Sequence, residues 1–220
     1  MSSLRIKICG ITNRADAVEA AESGADAIGL NFYAPSPRSI QPKAAAEVLR
    51  SLPPFVEPVG VFVNEPLSEA CRQARNIGML RTIQWHGDHH QVYDTFPFRY
   101  IPAFGVQSKD DLVRIQAHVA ACKELGHPPA AVLIDARVEG QYGGTGVQAP
   151  WALLADFDPG VPIVLAGGLT AENVAEAVQL VRPYAVDVAS GVESSPGKKD
   201  AEKMRRFIAN ARSAAAAVLS

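Results

Sequence analysis

Apolar residues fall along this chain in eight short runs, at positions 4–9, 26–32, 57–63, 81–86, 99–104, 131–136, 161–166 and 185–190. Runs of this length, rich in Val, Ile and Leu, read as strands buried on both faces, the habit of parallel sheets. Between them the apolar positions recur at helical spacing. Helix starts are cued by Asn13-Arg14-Ala15-Asp16, Gln41-Pro42-Lys43, Glu65-Pro66-Leu67, Lys109-Asp110-Asp111, Thr170-Ala171-Glu172-Asn173 and the alanine-rich stretch after Lys198. These segments supply caps, first-turn prolines or early acids. Two further helices, with weaker cues, are expected after Gly87 and after Pro150. Eight strand-then-helix units predict an α/β fold, a (β/α)8 TIM barrel of eight parallel strands with its functional groups at the strand C-termini. At 220 residues the chain is short for such a barrel, so one domain over residues 1–220 is expected.

Composition narrows the partners more than the fold. The chain is 48% hydrophobic with a formal net charge of −2, which supplies a large core and argues against nucleic acid or an anionic membrane as the main partner. The densest basic segment, Lys198-Lys199 with Lys203-Met204-Arg205-Arg206, reads as a solvated helix face with no binding role. No stretch is long and apolar enough to export or span a bilayer, so a cytoplasmic protein is expected. Cys9, Cys71 and Cys122 are widely separated and odd in number, which predicts free thiols rather than a disulfide framework or a zinc motif. The barrel is expected to stand as a monomer or a symmetric homodimer.

Candidate chemistry sits at the strand ends. Alternation along the first strand puts Leu4, Ile6 and Ile8 on one face and Arg5, Lys7 and Cys9 on the other. Lys7 and Cys9 would point into the barrel, with Cys9 at the rim and an ammonium nearby to favour its thiolate. A lone strand cysteine is more often a small buried hydrophobe, so the other strand ends must decide. The sixth strand ends in Asp135, a carboxyl on the same rim. The segment from Asn31 to Ser39 carries Arg38 on a proline-stiffened loop, suited to two-point contact with a carboxylate although a lone Arg is commonly a surface cation.

Glycine-rich loops follow strands six, seven and eight: Gly143-Gly144 with Gly146, Gly167-Gly168, and Ser190-Gly191. Glycine lets backbone N–H groups approach an anion, and in these barrels the loops after strands seven and eight often hold phosphate. A phosphorylated ligand therefore outweighs plain turns. The run His86-Gly87-Asp88-His89-His90 is a poor metal motif, because adjacent histidines point apart and no cysteine lies close by. His86 reads as a polar wall of the site, and His89, His90, His118 and His127 as surface or capping groups.

Taken together, Lys7-Ile8-Cys9-Gly10-Ile11-Thr12, Phe32 to Ser39, Val59 to Asn64, Gln84-Trp85-His86-Gly87, Asp135, Gly143 to Gly146, Leu165 to Leu169 and Asp187 to Gly197 closely resemble the phosphoribosylanthranilate isomerase family of tryptophan biosynthesis. The motifs occur in the family's order over nearly the whole chain. Two positions depart from its pattern: Asn31 lies in a variable region, and Trp85 replaces an aliphatic residue where it would alter packing beside an anthranilate ring. The resemblance implies an Amadori rearrangement of N-(5-phosphoribosyl)anthranilate to 1-(2-carboxyphenylamino)-1-deoxyribulose 5-phosphate. It further implies Asp135 as acid, Cys9 as base, Arg38 on the anthranilate carboxylate, and backbone donors around Gly144, Gly168 and Gly191 on the phosphate. No cofactor and no metal are called for. The nearest rival is the histidine-pathway aminoaldose isomerase, which would carry an aspartate in place of Cys9. A noncatalytic phosphometabolite-binding subunit would be expected to lack the acid or the base.

Overall fold

Which side chains face the lumen and which meet the helices follows from alternation along each apolar run. The computed structural model describes residues 4–87, 97–135 and 150–219. In it the runs form β1 (Arg5–Cys9), β2 (Ala27–Asn31), β3 (Glu57–Val63), β4 (Thr82–His86), β5 (Arg99–Gly105), β6 (Val132–Asp135), β7 (Ile163–Ala166) and β8 (Ala185–Val188). Each strand pairs in parallel with the next, and β8 pairs with β1 to close the barrel. Lys7 stands beside Asp187 in the closing register, and Cys9 stands beside Gly29 on the other side.

Helices α1 (Arg14–Glu22), α2 (Pro42–Ser51), α3 (Leu67–Ile77), α4 (Lys109–Glu124), α5 (Val174–Val181) and α6 (Ala201–Leu219) cover the outside. They start where the caps direct: the Asn13 side chain accepts from the Asp16 N–H at 2.9 Å, and Pro42 opens α2 after Gln41. The outward set Ile6, Ile8, Ile28, Leu30, Phe62, Ile83, Ile134, Leu165 and Val186 is fully buried against helix residues such as Ala17, Ala70 and Phe207.

Three expectations need correction, and a fourth lies largely outside the described residues. The helix expected after Pro150 is a single 3-10 turn, Pro150–Leu153. Trp151 and Leu154 anchor that turn in the core, and Pro159, Gly160 and Pro162 then prevent a helix from continuing. The helix expected after Gly87 falls largely outside the described residues, as do Asp88, His89 and His90. The eighth strand stops at Val188, so Ser190 belongs to a 3-10 turn that leads into a small hairpin of β9 (Glu193–Ser195) and β10 (Lys198–Lys199). His118 is buried rather than superficial: Ile115, His118, Val119 and Cys122 form the inward stripe of α4. There its ring meets Tyr100 and Phe104 edge-on, with centroids at 6.1 and 5.6 Å.

The three cysteines are free thiols. Among the described residues no helix is long and apolar enough to cross a membrane.

Candidate active site

Lys7 and Cys9 follow the alternation of β1 into the lumen. The Lys7 ammonium donates to the Asp187 carboxylate at 2.9 Å, and both side chains are under a tenth exposed. Gly29 makes the room: a Cβ there would lie 2.6 Å from Cys9 Sγ and 3.1 Å from Lys7 Nζ. Thiol and ammonium therefore share one small space over a glycine. Burial pushes the Cys9 thiol above its ordinary value, Lys7 and Lys199 pull it down, and Asp187 pushes it up. Burial works against the Lys7 charge, but Asp187 and Cys9 together hold its pKa above that of an ordinary lysine. The group beside the thiol is thus a fixed cation.

Across the lumen β4 presents Thr82, Gln84 and His86. The His86 pKa is lowered by burial and by the Lys7 charge, against the pull of Asp187 and Asp135, so the ring is neutral near pH 7. Its Nε2 lies 2.8 Å from the Gln84 amide nitrogen. A donating amide leaves the ring proton on Nδ1. Asp135 ends β6 on the same rim, partly exposed and close enough for its charge to act on His86. Trp85 corrects a further expectation, because it lies with Ile83 on the outer face of β4 and its indole N–H donates to the Glu65 carbonyl at 2.9 Å. Alternation puts it on the opposite side of the strand from His86.

The loops after β7 and β8 meet on the rim. Gly167 and Gly168 have φ of 95° and 66°, and a side chain at Gly191 would run into the Leu169 carbonyl, so these turns require glycine. Asn173, the cap of α5, fastens the first loop by donating to the Gly168 carbonyl at 3.0 Å and accepting from the Thr170 N–H at 2.8 Å. Among the described residues the N–H groups of Gly167 and Gly168 have no backbone acceptor. That leaves donors for an anion. Gly143 and Gly144 lie outside the described residues.

Arg38 is not a surface cation. Its Nε and Nη2 donate side-on to Glu193 at 2.9 and 2.7 Å. Glu193 also accepts from Lys199 at 2.9 Å, and Lys199 donates in addition to the Ala189 carbonyl at 3.0 Å. The Lys199 side chain is 0% exposed, so the solvated-face reading fails for this residue. The hairpin after β8 turns it inward, which helical spacing could not reveal. Lys198, Lys203, Arg205 and Arg206 remain exposed.

Sequence reasoning assigned no role to Asp187, Gln84, Glu193 or Lys199. The first two carried a signal, because a carboxylate or an amide at an inward position of a buried parallel strand is out of place unless partnered. Glu193 carried none, since its partner Arg38 is 155 residues away.

The family model for N-(5'-phosphoribosyl)anthranilate (PRA) isomerase matches residues 6–210. The chain is 46% identical to N-(5'-phosphoribosyl)anthranilate isomerase of Trichlorobacter lovleyi, over 96% of this chain and 99% of that protein. The crystal structure of phosphoribosyl anthranilate isomerase from Thermotoga maritima superposes with a TM-score of 0.80 at 39% identity, covering 96% of this chain and 99% of the other. A further isomerase structure, in complex with reduced 1-(o-carboxyphenylamino)-1-deoxyribulose 5-phosphate, matches with a TM-score of 0.77 at 37% identity, covering 96% and 99%. The closed eight-stranded barrel agrees with these matches in fold, and the chain belongs to the phosphoribosylanthranilate isomerase family, the isomerases of tryptophan biosynthesis.

Proposed function

We propose that this barrel rearranges N-(5-phosphoribosyl)anthranilate by acid–base catalysis with Asp135 and Cys9, within one cytoplasmic domain that takes a small phosphorylated sugar and no nucleic acid. Protonated Asp135 gives its proton to the ribose ring oxygen as the C1–O bond breaks, and the anilino nitrogen supplies the electron pair that forms the iminium. Cys9 thiolate then removes the C2 proton, and that electron pair neutralises the iminium to give the enolamine. Tautomerisation of the enolamine yields the aminoketone. Atoms and charge balance without an external oxidant or reductant.

The observation that carries this reading is the buried Lys7–Asp187 pair, joined at 2.9 Å, that shares the space over Gly29 with the Cys9 thiol. A fixed ammonium stabilises the thiolate the base must be, and a structural thiol has no use for one. Arg38 takes the anthranilate carboxylate, His86 walls the sugar, and the N–H groups of Gly167, Gly168, Ser190 and Gly191, with Gly143 and Gly144, take the phosphate. Two anionic anchors hold the sugar between acid and base.

Purified protein should convert freshly generated phosphoribosylanthranilate to the aminoketose, read as loss of substrate fluorescence above spontaneous hydrolysis, with chelator present. The histidine-pathway aminoaldose should turn over far more slowly. Turnover of that substrate alone would reject the reading.

A further inference from the structure

Glu193 reaches across the rim to do something the reaction scheme does not account for. Its carboxylate accepts from Arg38 Nε and Nη2, from Lys199 Nζ, and from the Gly197 N–H at 3.3 Å. Two glycines seat the Arg38 segment between other parts of the rim. At Gly10 a Cβ would lie 2.8 Å from Arg38 Cδ, so the stem lies flat on the end of β1. At Gly197 a Cβ would lie 2.6 Å from the Pro37 carbonyl oxygen, so the hairpin closes on the loop from the other side. Lys199 is held in turn by Ala189 at the end of β8 and, through its backbone N–H, by Asp16 at 2.9 Å.

The pairing is side-on. It occupies the Nε/Nη2 edge of the guanidinium, and among the described residues the Nη1/Nη2 edge has no partner. A guanidinium held along one edge by a buried carboxylate presents the adjacent edge as a flat, preoriented fork for a second carboxylate. One glutamate between two cations also leaves the cluster a net positive charge, suited to an anion.

We propose that Glu193 is a positioning residue: it locks Arg38 so that its Nη1/Nη2 edge receives the substrate's aromatic carboxylate, and so sets the preference for carboxylated over uncarboxylated aminoaldoses. The proposal rests on the assignment of Arg38 to that carboxylate. It makes Glu193 a determinant of specificity that never touches the substrate.

The test compares kcat/KM for phosphoribosylanthranilate with that for N-(5-phosphoribosyl)aniline, which differs only by lacking the carboxylate. Wild type, Arg38→Ala, Glu193→Gln, Glu193→Asp and the Arg38→Ala/Glu193→Gln pair are measured, with thermal melts alongside. Arg38→Ala should abolish the preference. Glu193→Gln should cut it about tenfold or more, chiefly through KM, while the aniline substrate changes less than about threefold. In the Arg38→Ala background the Glu193→Gln change should add little, because both act through one contact. If Glu193→Gln does not fold, Glu193→Asp, which keeps the charge but shortens the reach, should show the same loss in smaller degree.

A folded Glu193 variant with wild-type preference, or an equal fall for both substrates, would overturn the proposal. Should Arg38→Ala itself keep the preference, the Arg38 assignment fails and the proposal with it. Loss in Arg38→Ala with none in the Glu193 variants removes Glu193 alone.

Discussion

The two halves of the barrel lumen obey the same alternation and do opposite work. On the side of β5, β6 and β7, with the first residue of β8, the buried inward positions beneath Asp135 are Ile101, Ala103, Leu133, Val164, Ala166 and Ala185, a small apolar cluster of its own. On the side of β8, β1 and β4 they are Asp187, Lys7, Cys9, Gln84 and His86, polar groups held by one another. The first half is insensitive to which apolar groups fill it so long as the volume is right. The second half depends on complete pairing, because each buried charge is tolerable only while its partner is present. Stability should therefore be separable from chemistry in one half and entangled with it in the other.

The largest effect should come from splitting the buried pair. Asp187→Ala leaves the Lys7 ammonium uncompensated, which should cost about 3–5 kcal/mol in urea unfolding and remove most turnover. The double variant Lys7→Met/Asp187→Leu should recover much of that stability but not the activity. Recovery of both would mean that the pair serves the fold alone. In the other half, Leu133→Ala should cost about 2–5 kcal/mol by opening a cavity, with kcat nearly unchanged where the protein remains folded. A matching collapse of kcat would erase the distinction between the halves.

The pH profile sharpens the same contrast. In the proposed scheme Cys9 acts as thiolate, and its pKa is raised by burial, so kcat/KM should climb with pH through a limb above the ordinary cysteine range. Removing the ammonium in Lys7→Met takes away a stabiliser of the thiolate. The limb should move to still higher pH, and a shift toward acid would contradict the role given to Lys7.

The smallest effect lies outside the lumen, at the start of α4. The Asp111 pKa is lowered to about 2 by hydrogen bonds from the Gln107 and Ser108 backbone, with side-chain bonds from Arg114 and Ser108. A depressed carboxylate contributes stability that is full above its unfolded value and lost as pH falls through the folded one. Asp111→Asn should therefore lower stability by about 1–2 kcal/mol at pH 7, by an amount that shrinks on acidification and vanishes only below the folded pKa, and leave kcat alone.

The apolar half and the outer core were legible in sequence because local periodicity encodes them: all eight strands lie where the runs predict. Cys9, Asp135 and the glycines after β7 stand out in sequence as candidates because barrels of this kind carry their functional groups at strand ends. Local pattern could not show the partners. Lys7 and Asp187 are 180 residues apart, and Arg38 and Glu193 are 155 apart, so their pairing exists only once the barrel closes. Lys199 misleads for a related reason, since its run of cations reads as a helix face whereas a two-residue strand tucks it under the rim. His118 misled because its polar ring occupies an apolar stripe of α4.

The central claim is that the barrel rim carries an acid at the end of β6 and a base at the end of β1. It is tested most directly by turnover of phosphoribosylanthranilate by wild type, Cys9→Ala and Asp135→Asn, each shown to be folded by its melting curve. Both variants should lose about 10²–10⁴-fold or more in kcat while still binding the reduced product analogue. Near-wild-type turnover in either folded variant would remove that residue from the mechanism and contradict the account.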